Sequence, residues 1–158
     1  MKLMLDIECI RRISKEKRIE NKAFVAYLND GDSDKVDNIV HRLYEKVASQ
    51  IDCVMCGNCC RNIRPPVKDE VLQLYLTKED LSKYKYAWGF TCKNLDGNKC
   101  KIYTDRYDEC RLFPYLDQNN FISRMPGVLQ NYEICPIVFN VVEQLKVELN
   151  WKYDLHAL

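Results

Sequence analysis

The stretch 53-CVMCGNCC-60 places four cysteines in eight residues and ends with two of them side by side. A CxxC step matters chemically because a tight turn brings two sulfurs to a separation that one metal ion can bridge. Four more cysteines follow at Cys92, Cys100, Cys110 and Cys135, and all eight fall between a helix ending near Ile51 and one beginning near Pro136. Sets of four soft thiolates select zinc or iron–sulfur clusters, and ligand type alone does not separate the two. Cys9 stands apart near the N-terminus, where a buried, small, apolar role is expected.

Side chains of consecutive residues diverge by about 100° on a helix and about 180° on a strand. Cys59 and Cys60 are therefore expected to face different places, so that the loop serves two sites at once. Three cysteines at CxxCxxC with a remote Cys-Pro form a ferredoxin-like ligand run, here Cys53, Cys56, Cys59 and Cys135. That leaves Cys60, Cys92, Cys100 and Cys110 for a second site. Gly57, lacking Cβ, can adopt positive φ and turn backbone N–H groups toward a thiolate.

The surroundings of the loop bound the compartment and the partners. Lys and Arg number 24 against 23 Asp and Glu, so no global field draws the chain to nucleic acid or an anionic membrane. MKLMLDIECIRR has too short an apolar run for a signal peptide, and nothing later approaches a membrane span. A cytoplasmic location is expected, and there dense cysteines read as metal ligands more readily than as disulfides. No HExxH or Ser/His/Asp constellation is present, so an enzyme is not the leading reading.

Upstream, residues 3–28 predict one or two helices from loosely periodic apolar residues. The run 29-NDGDSDK-35 lacks the Gly and Glu positions of a calcium loop and reads as a turn in which Ser33 or Asp34 caps the next helix. From Lys35 to Ile51 the apolar residues Val36, Ile39, Val40, Leu43, Val47 and Ile51 form one helical stripe. His41 lies at its polar edge, where it is expected to be solvated.

Downstream, RPP at 64–66 blocks helix, and VLQLYL at 71–76 reads as a short strand. Thr77 and Asp80 predict a capping box ahead of a short helix over 77–84. Asp96-Gly97 predicts a hairpin with KCKIY returning. Residues 117–131 read as irregular, and a final helix spans roughly 136–151. The fold class expected is α+β, mainly helical. N-terminal helices (residues 1–52) and a C-terminal helix (137–158, packing on the same domain) flank an irregular cysteine-rich metal-binding lobe (53–136) with a short hairpin.

Arg61, Lys93, Lys99, Lys101 and Arg111 each abut a cysteine. The lysines read as ordinary surface residues. Arg111 is the better second donor, since a guanidinium can bond to a thiolate and a carbonyl together.

On CVMCGNCCR at 53–61, KCKIYTDRYDECRLFPY at 99–115 and CP at 135–136, the chain resembles the YkgJ-like cysteine-cluster family, described as zinc- or iron-chelating domains. The resemblance implies metal ligands at Cys53, Cys56, Cys59, Cys60, Cys92, Cys100, Cys110 and Cys135. It implies a supporting motif at Tyr103, Arg106, Arg111, Phe113 and Pro114, with Arg106 and Arg111 behind the ligands. Tyr107 and Lys93 stand where the family tends to have Pro. The resemblance implies metal binding and no settled activity, and the leading reading is a cytoplasmic metal-binding protein with an iron–sulfur cluster of the 4Fe–4S type and/or zinc. It would act in electron transfer, redox sensing or metal handling, with metal ions and a protein redox partner. A zinc-stabilised interaction domain is the alternative. A flagellin lysine methylase also looks similar in its cysteine cluster, although no Gly-rich nucleotide loop is present here.

Overall fold

The computed structural model describes residues 2–63, 69–84 and 89–154. The chain forms two compact units, one of Met1–Ile51 with Leu112–Leu158 and the other of Asp52–Arg111. Helices dominate, with one two-stranded antiparallel sheet among the described residues.

The first unit is built from α1 (Ile7–Glu16), α2 (Arg18–Asn29), α3 (Ser33–Ala48), α8 (Phe121–Leu129) and α9 (Pro136–Glu148). The expected stripe on α3 is buried at Val36, Val40, Leu43 and Val47. It packs against α9, which brings Val138, Val141, Val142 and Leu145 to the same core. Pro136 opens α9 at its first turn, where its missing N–H costs nothing. No described helix is long and apolar enough to cross a membrane.

Four local readings in this unit differ from the structure. The cap of α3 is Asp32, whose carboxylate accepts the Lys35 N–H at 3.0 Å, so the helix starts at Ser33 itself. Residues 121–129 are helical although Pro126 interrupts them, because Phe121, Met125 and Val128 recur at helical spacing and are buried. Asp37 of α3 also holds the N-terminus of α8 from a distance in sequence. Cys9 is only half-buried: the inward stripe of α1 runs through Ile10, and a neighbour 100° away falls beside it. His41 is half-buried, and its Nε2 is buried with no hydrogen-bond partner among the described residues. Helix α3 is flanked by both α8 and α9, so its covered face is wider than one stripe.

Apart from Asp37, the buried charge of this core belongs to one connected group. Lys146 is 5% exposed and its Nζ donates to Asn21 Oδ1 at 2.6 Å, Glu143 Oε1 at 2.7 Å and Glu20 Oε1 at 2.8 Å. Lys17 pairs with Glu143 from the other side, and the Tyr132 hydroxyl donates to Glu143 at 2.8 Å. Each charge of this group thus meets an opposite one, a condition under which burial is tolerated.

The second unit contains α4 (Cys53–Cys56), a 3-10 turn (Cys59–Arg61), α5 (Asp69–Tyr75), α6 (Lys78–Lys83), β1 (Leu95–Asp96) and β2 (Lys99–Cys100), and the chain leaves it through α7 (Asp108–Leu112). The hairpin forms at Asp96-Gly97, with Leu95 opposite Cys100 and Asp96 opposite Lys99. Thr77 and Asp80 make the reciprocal capping box at the start of α6. VLQLY, 71–75, is helical, not a strand. A short apolar run is ambiguous in period, and here Leu72, Tyr75 and Leu76, at i, i+3 and i+4, are the residues that are buried. The RPP at 64–66 lies outside the described residues.

Candidate metal centre

The loop 53–60 folds as two successive turns. Asp52 caps α4 by accepting from Val54 N at 2.9 Å and Met55 N at 3.3 Å, which winds Cys53 to Cys56 into one helical turn. Gly57 ends it with φ 55°, and its N–H bonds to Cys53 O at 2.9 Å. The positive φ is as expected, but that N–H goes to a carbonyl and not to a thiolate. The chain then re-enters a 3-10 turn at Cys59.

Within that turn the sulfurs of Cys59 and Cys60 lie 4.0 Å apart. The two neighbours converge where the sequence suggested that they point apart. Divergence of the Cα–Cβ bonds does not fix the sulfur separation, since each thiol rotates among staggered χ1 wells. A tetrahedral ion with Zn–S of about 2.3 Å sets its sulfurs about 3.8 Å apart, close to this spacing.

Cys60, Cys92 and Cys110 share the small apolar core of this unit, formed by Leu72, Tyr75 and Leu76. The backbone stitches them together: Cys92 N donates to Cys60 O at 2.7 Å, and Lys93 N donates to Tyr75 O at 2.7 Å. Asn94 Nδ2 reaches Leu74 O at 3.0 Å, so the segment carrying Cys92 is fastened to the end of α5. Cys100 is brought in on β2, facing Leu95 across the hairpin.

The thiols sense one another's charge. Burial first, then charge on Cys60, Cys92 and Cys100, pushes the Cys110 thiol up, against a hydrogen bond from Tyr75. The Cys92 thiol is raised by burial and by charge on Cys60 and Cys100, against the backbone and side-chain amides of Asn94. Desolvation and then charge on Cys56 raise Cys53, which Arg106 opposes. Cys60 moves the other way, to about 7, drawn down by its hydrogen bond with Cys59 and then, against burial, by Arg61 and Arg106. Opposite charge favours the thiolate and low dielectric disfavours it, so one small unit holds both kinds of thiol.

The arginines divide their roles. Arg106 donates to Tyr103 O at 3.0 Å, lies 3.8 Å above the Tyr103 ring, and acts on Cys53 and Cys60 by charge. Arg111 is exposed and donates to Arg106 O at 2.7 Å and Thr104 O at 3.4 Å, so its described bonds go to carbonyls. Arg61 was missed as a functional residue. It donates to Cys56 O at 3.3 Å, to Gly97 O at 3.0 Å and to the Asn98 side chain, fastening the cysteine loop to the hairpin turn. Tyr75 was missed too, because its run reads as a strand. Its hydroxyl donates to Glu109 Oε2 at 3.1 Å beside Cys110. Cys135 lies in the other unit, buried at the N-cap of α9.

Among the described residues no three Cys, His, Asp or Glu side chains form a ready metal cage. The donors still fit a soft metal: seven cysteines fall within Asp52–Arg111, with amide, phenol and guanidinium groups acting on their sulfurs. No curated protein and no solved structure matches the chain. A family model named for its CxxCxxCC pattern and described as "Putative zinc- or iron-chelating domain" matches residues 52–135, over half of the chain. With its cysteines gathered where that pattern falls, the chain belongs to the CxxCxxCC family of zinc- or iron-chelating domains.

Proposed function

We infer that the chain is a cytoplasmic metal–thiolate protein whose cofactor is an iron–sulfur cluster and whose work is electron transfer, redox sensing or metal handling. The observation that carries this reading is the arrival of Cys60, Cys92, Cys100 and Cys110 on four different backbone segments, with charge on Cys60 and Cys100 acting on both Cys92 and Cys110. A [4Fe–4S] core takes four cysteine ligands, and ligands from separate segments around an apolar core suit it. Cys53, Cys56 and Cys59 are further ligands in this proposal. Arg61 and Arg106 place positive charge by the loop, which favours thiolates over thiols. A bound cluster would supply one-electron chemistry; the chain's own residues hold its ligands and set their surroundings.

A zinc-stabilised interaction domain is the second reading. The 4.0 Å spacing of Cys59 and Cys60 favours it, because it is near the edge of a single tetrahedral centre. The lysine methylase reading draws on resemblance alone.

Purification under anaerobic conditions separates the two. Broad visible absorbance that bleaches with dithionite, with iron and sulfide in matching amounts, supports the cluster. Colourless protein carrying stoichiometric zinc overturns it in favour of the second reading.

A further inference from the structure

Cys56 is the last residue of α4, so its carbonyl is one of those left without an intrahelical partner at a helix C-terminus. Arg61 supplies the donor. Its Nη1 reaches Cys56 O at 3.3 Å, while Nη2 reaches Gly97 O at 3.0 Å and the Asn98 side chain in the hairpin turn. One planar fork thus spans α4 and the turn that leads into β2, the strand that carries Cys100. Gly57 leaves room for it: a Cβ there would stand 2.8 Å from Arg61 Nη1, and the φ of 55° already disfavours any side chain. The latch joins Arg61 to a turn 36 residues away in sequence, and none of its three contacts involves a sulfur.

We propose that Arg61 is a positioning residue for the metal centre, whose guanidinium fork holds the cysteine loop and the Cys100 hairpin in register before any metal arrives. This rests on the metal–thiolate reading above. Ligands on separate segments must be ordered when metal binds, and the entropy lost in doing so lowers the affinity. A latch made of the chain's own hydrogen bonds does part of that ordering on folding. Charge alone would not achieve this. A lysine ammonium keeps the positive charge but is a point donor on a flexible stem, whereas three acceptors on two segments call for the rigid fork. Loss of partners behind metal ligands typically lowers affinity by about 10- to 100-fold.

The test is a cobalt(II) titration of the full chain under anaerobic conditions, in competition with a chelator, reading affinity, stoichiometry and the visible bands of the bound ion. Arg61→Lys is expected to bind about tenfold or more weakly with displaced bands, at unchanged stoichiometry. Asn98→Ala removes one exposed acceptor and changes no charge, so a smaller loss is expected. Combined with Arg61→Ala it should add nothing, because the two residues act through one contact. Lys99→Ala removes an exposed charge beside Cys100 and is expected to stay within about twofold. Arg61→Lys within about twofold of the unaltered protein, with the same bands, overturns the proposal, since charge then suffices. Matching losses in Arg61→Lys and Lys99→Ala overturn it too, as does a combined variant in which the Arg61→Ala and Asn98→Ala losses multiply. Failure of the unaltered chain to bind cobalt or zinc overturns the metal reading itself, and the arginine's role with it.

Discussion

The sulfurs of Cys59 and Cys60 stand 4.0 Å apart although the residues are consecutive, and the hydrogen bond between them is the foremost influence drawing Cys60 down to about 7. The thiolate is the nucleophile, so a thiol half-ionised near neutrality reacts ahead of one held protonated.

In the metal-free chain at pH 7, Cys60 should therefore be alkylated before Cys92 and Cys110, whose thiols are pushed up by burial. Raising the pH should narrow the difference as the latter ionise. Arg61→Ala should slow labelling of Cys60 several-fold, because one charge that lowers its pKa is gone. Peptide mapping by mass spectrometry reads the order; equal rates at Cys60 and Cys92 would contradict it.

Asp37 is 6% exposed, and its two oxygens accept Asn120 N at 2.7 Å and Phe121 N at 2.8 Å. One carboxylate from α3 thereby caps α8. Asp37→Ala should destabilise the chain by about 2–3 kcal/mol in urea unfolding, and Asp37→Asn by less, since one acceptor survives. A loss below about 0.5 kcal/mol in the alanine variant would show that the cap contributes little.

Burial works to raise the pKa of Glu143, but Lys146, Lys17 and Tyr132 bring it below the ordinary carboxylate value. A carboxyl with a depressed folded pKa contributes stability that is fully present above its unfolded pKa and is lost as pH falls through the folded one. Glu143→Gln should cost about 1–3 kcal/mol at pH 7. The gap from the unaltered chain should begin to close near about pH 4, where the unfolded carboxyl takes up its proton, and vanish once pH falls below the depressed folded pKa. Urea titrations at neutral and acid pH measure this, and a gap independent of pH would rule out the ion-pair origin.

Much of the architecture was legible because its signals are local. The stripe on α3, Pro136 at the head of α9, the Thr77–Asp80 box and the Asp96-Gly97 turn each depend on residues within a turn or two. Helix α8 was hidden because Pro126 and Gly127 argue against helix locally, while burial of Phe121 and Met125 and the cap from Asp37 lie far away in sequence. The run holding Tyr75 has both periods in it, and only the core decides between them. For the site, the cysteines announce themselves by spacing, whereas Arg61 and Tyr75 act through contacts with residues 36 and 34 positions away. The signal for Arg61 was its place directly after Cys59-Cys60, which does not by itself set it apart from the other basic residues that abut a cysteine.

The central claim is that the cysteines of Asp52–Arg111 hold metal. The most direct test is metal content per chain on anaerobically prepared protein, compared with a variant carrying Cys60→Ser, Cys92→Ser, Cys100→Ser and Cys110→Ser. The account predicts stoichiometric iron or zinc in the unaltered chain and loss of at least half of it in the variant. An unaltered chain free of both metals, or a variant that keeps its full content, would contradict it.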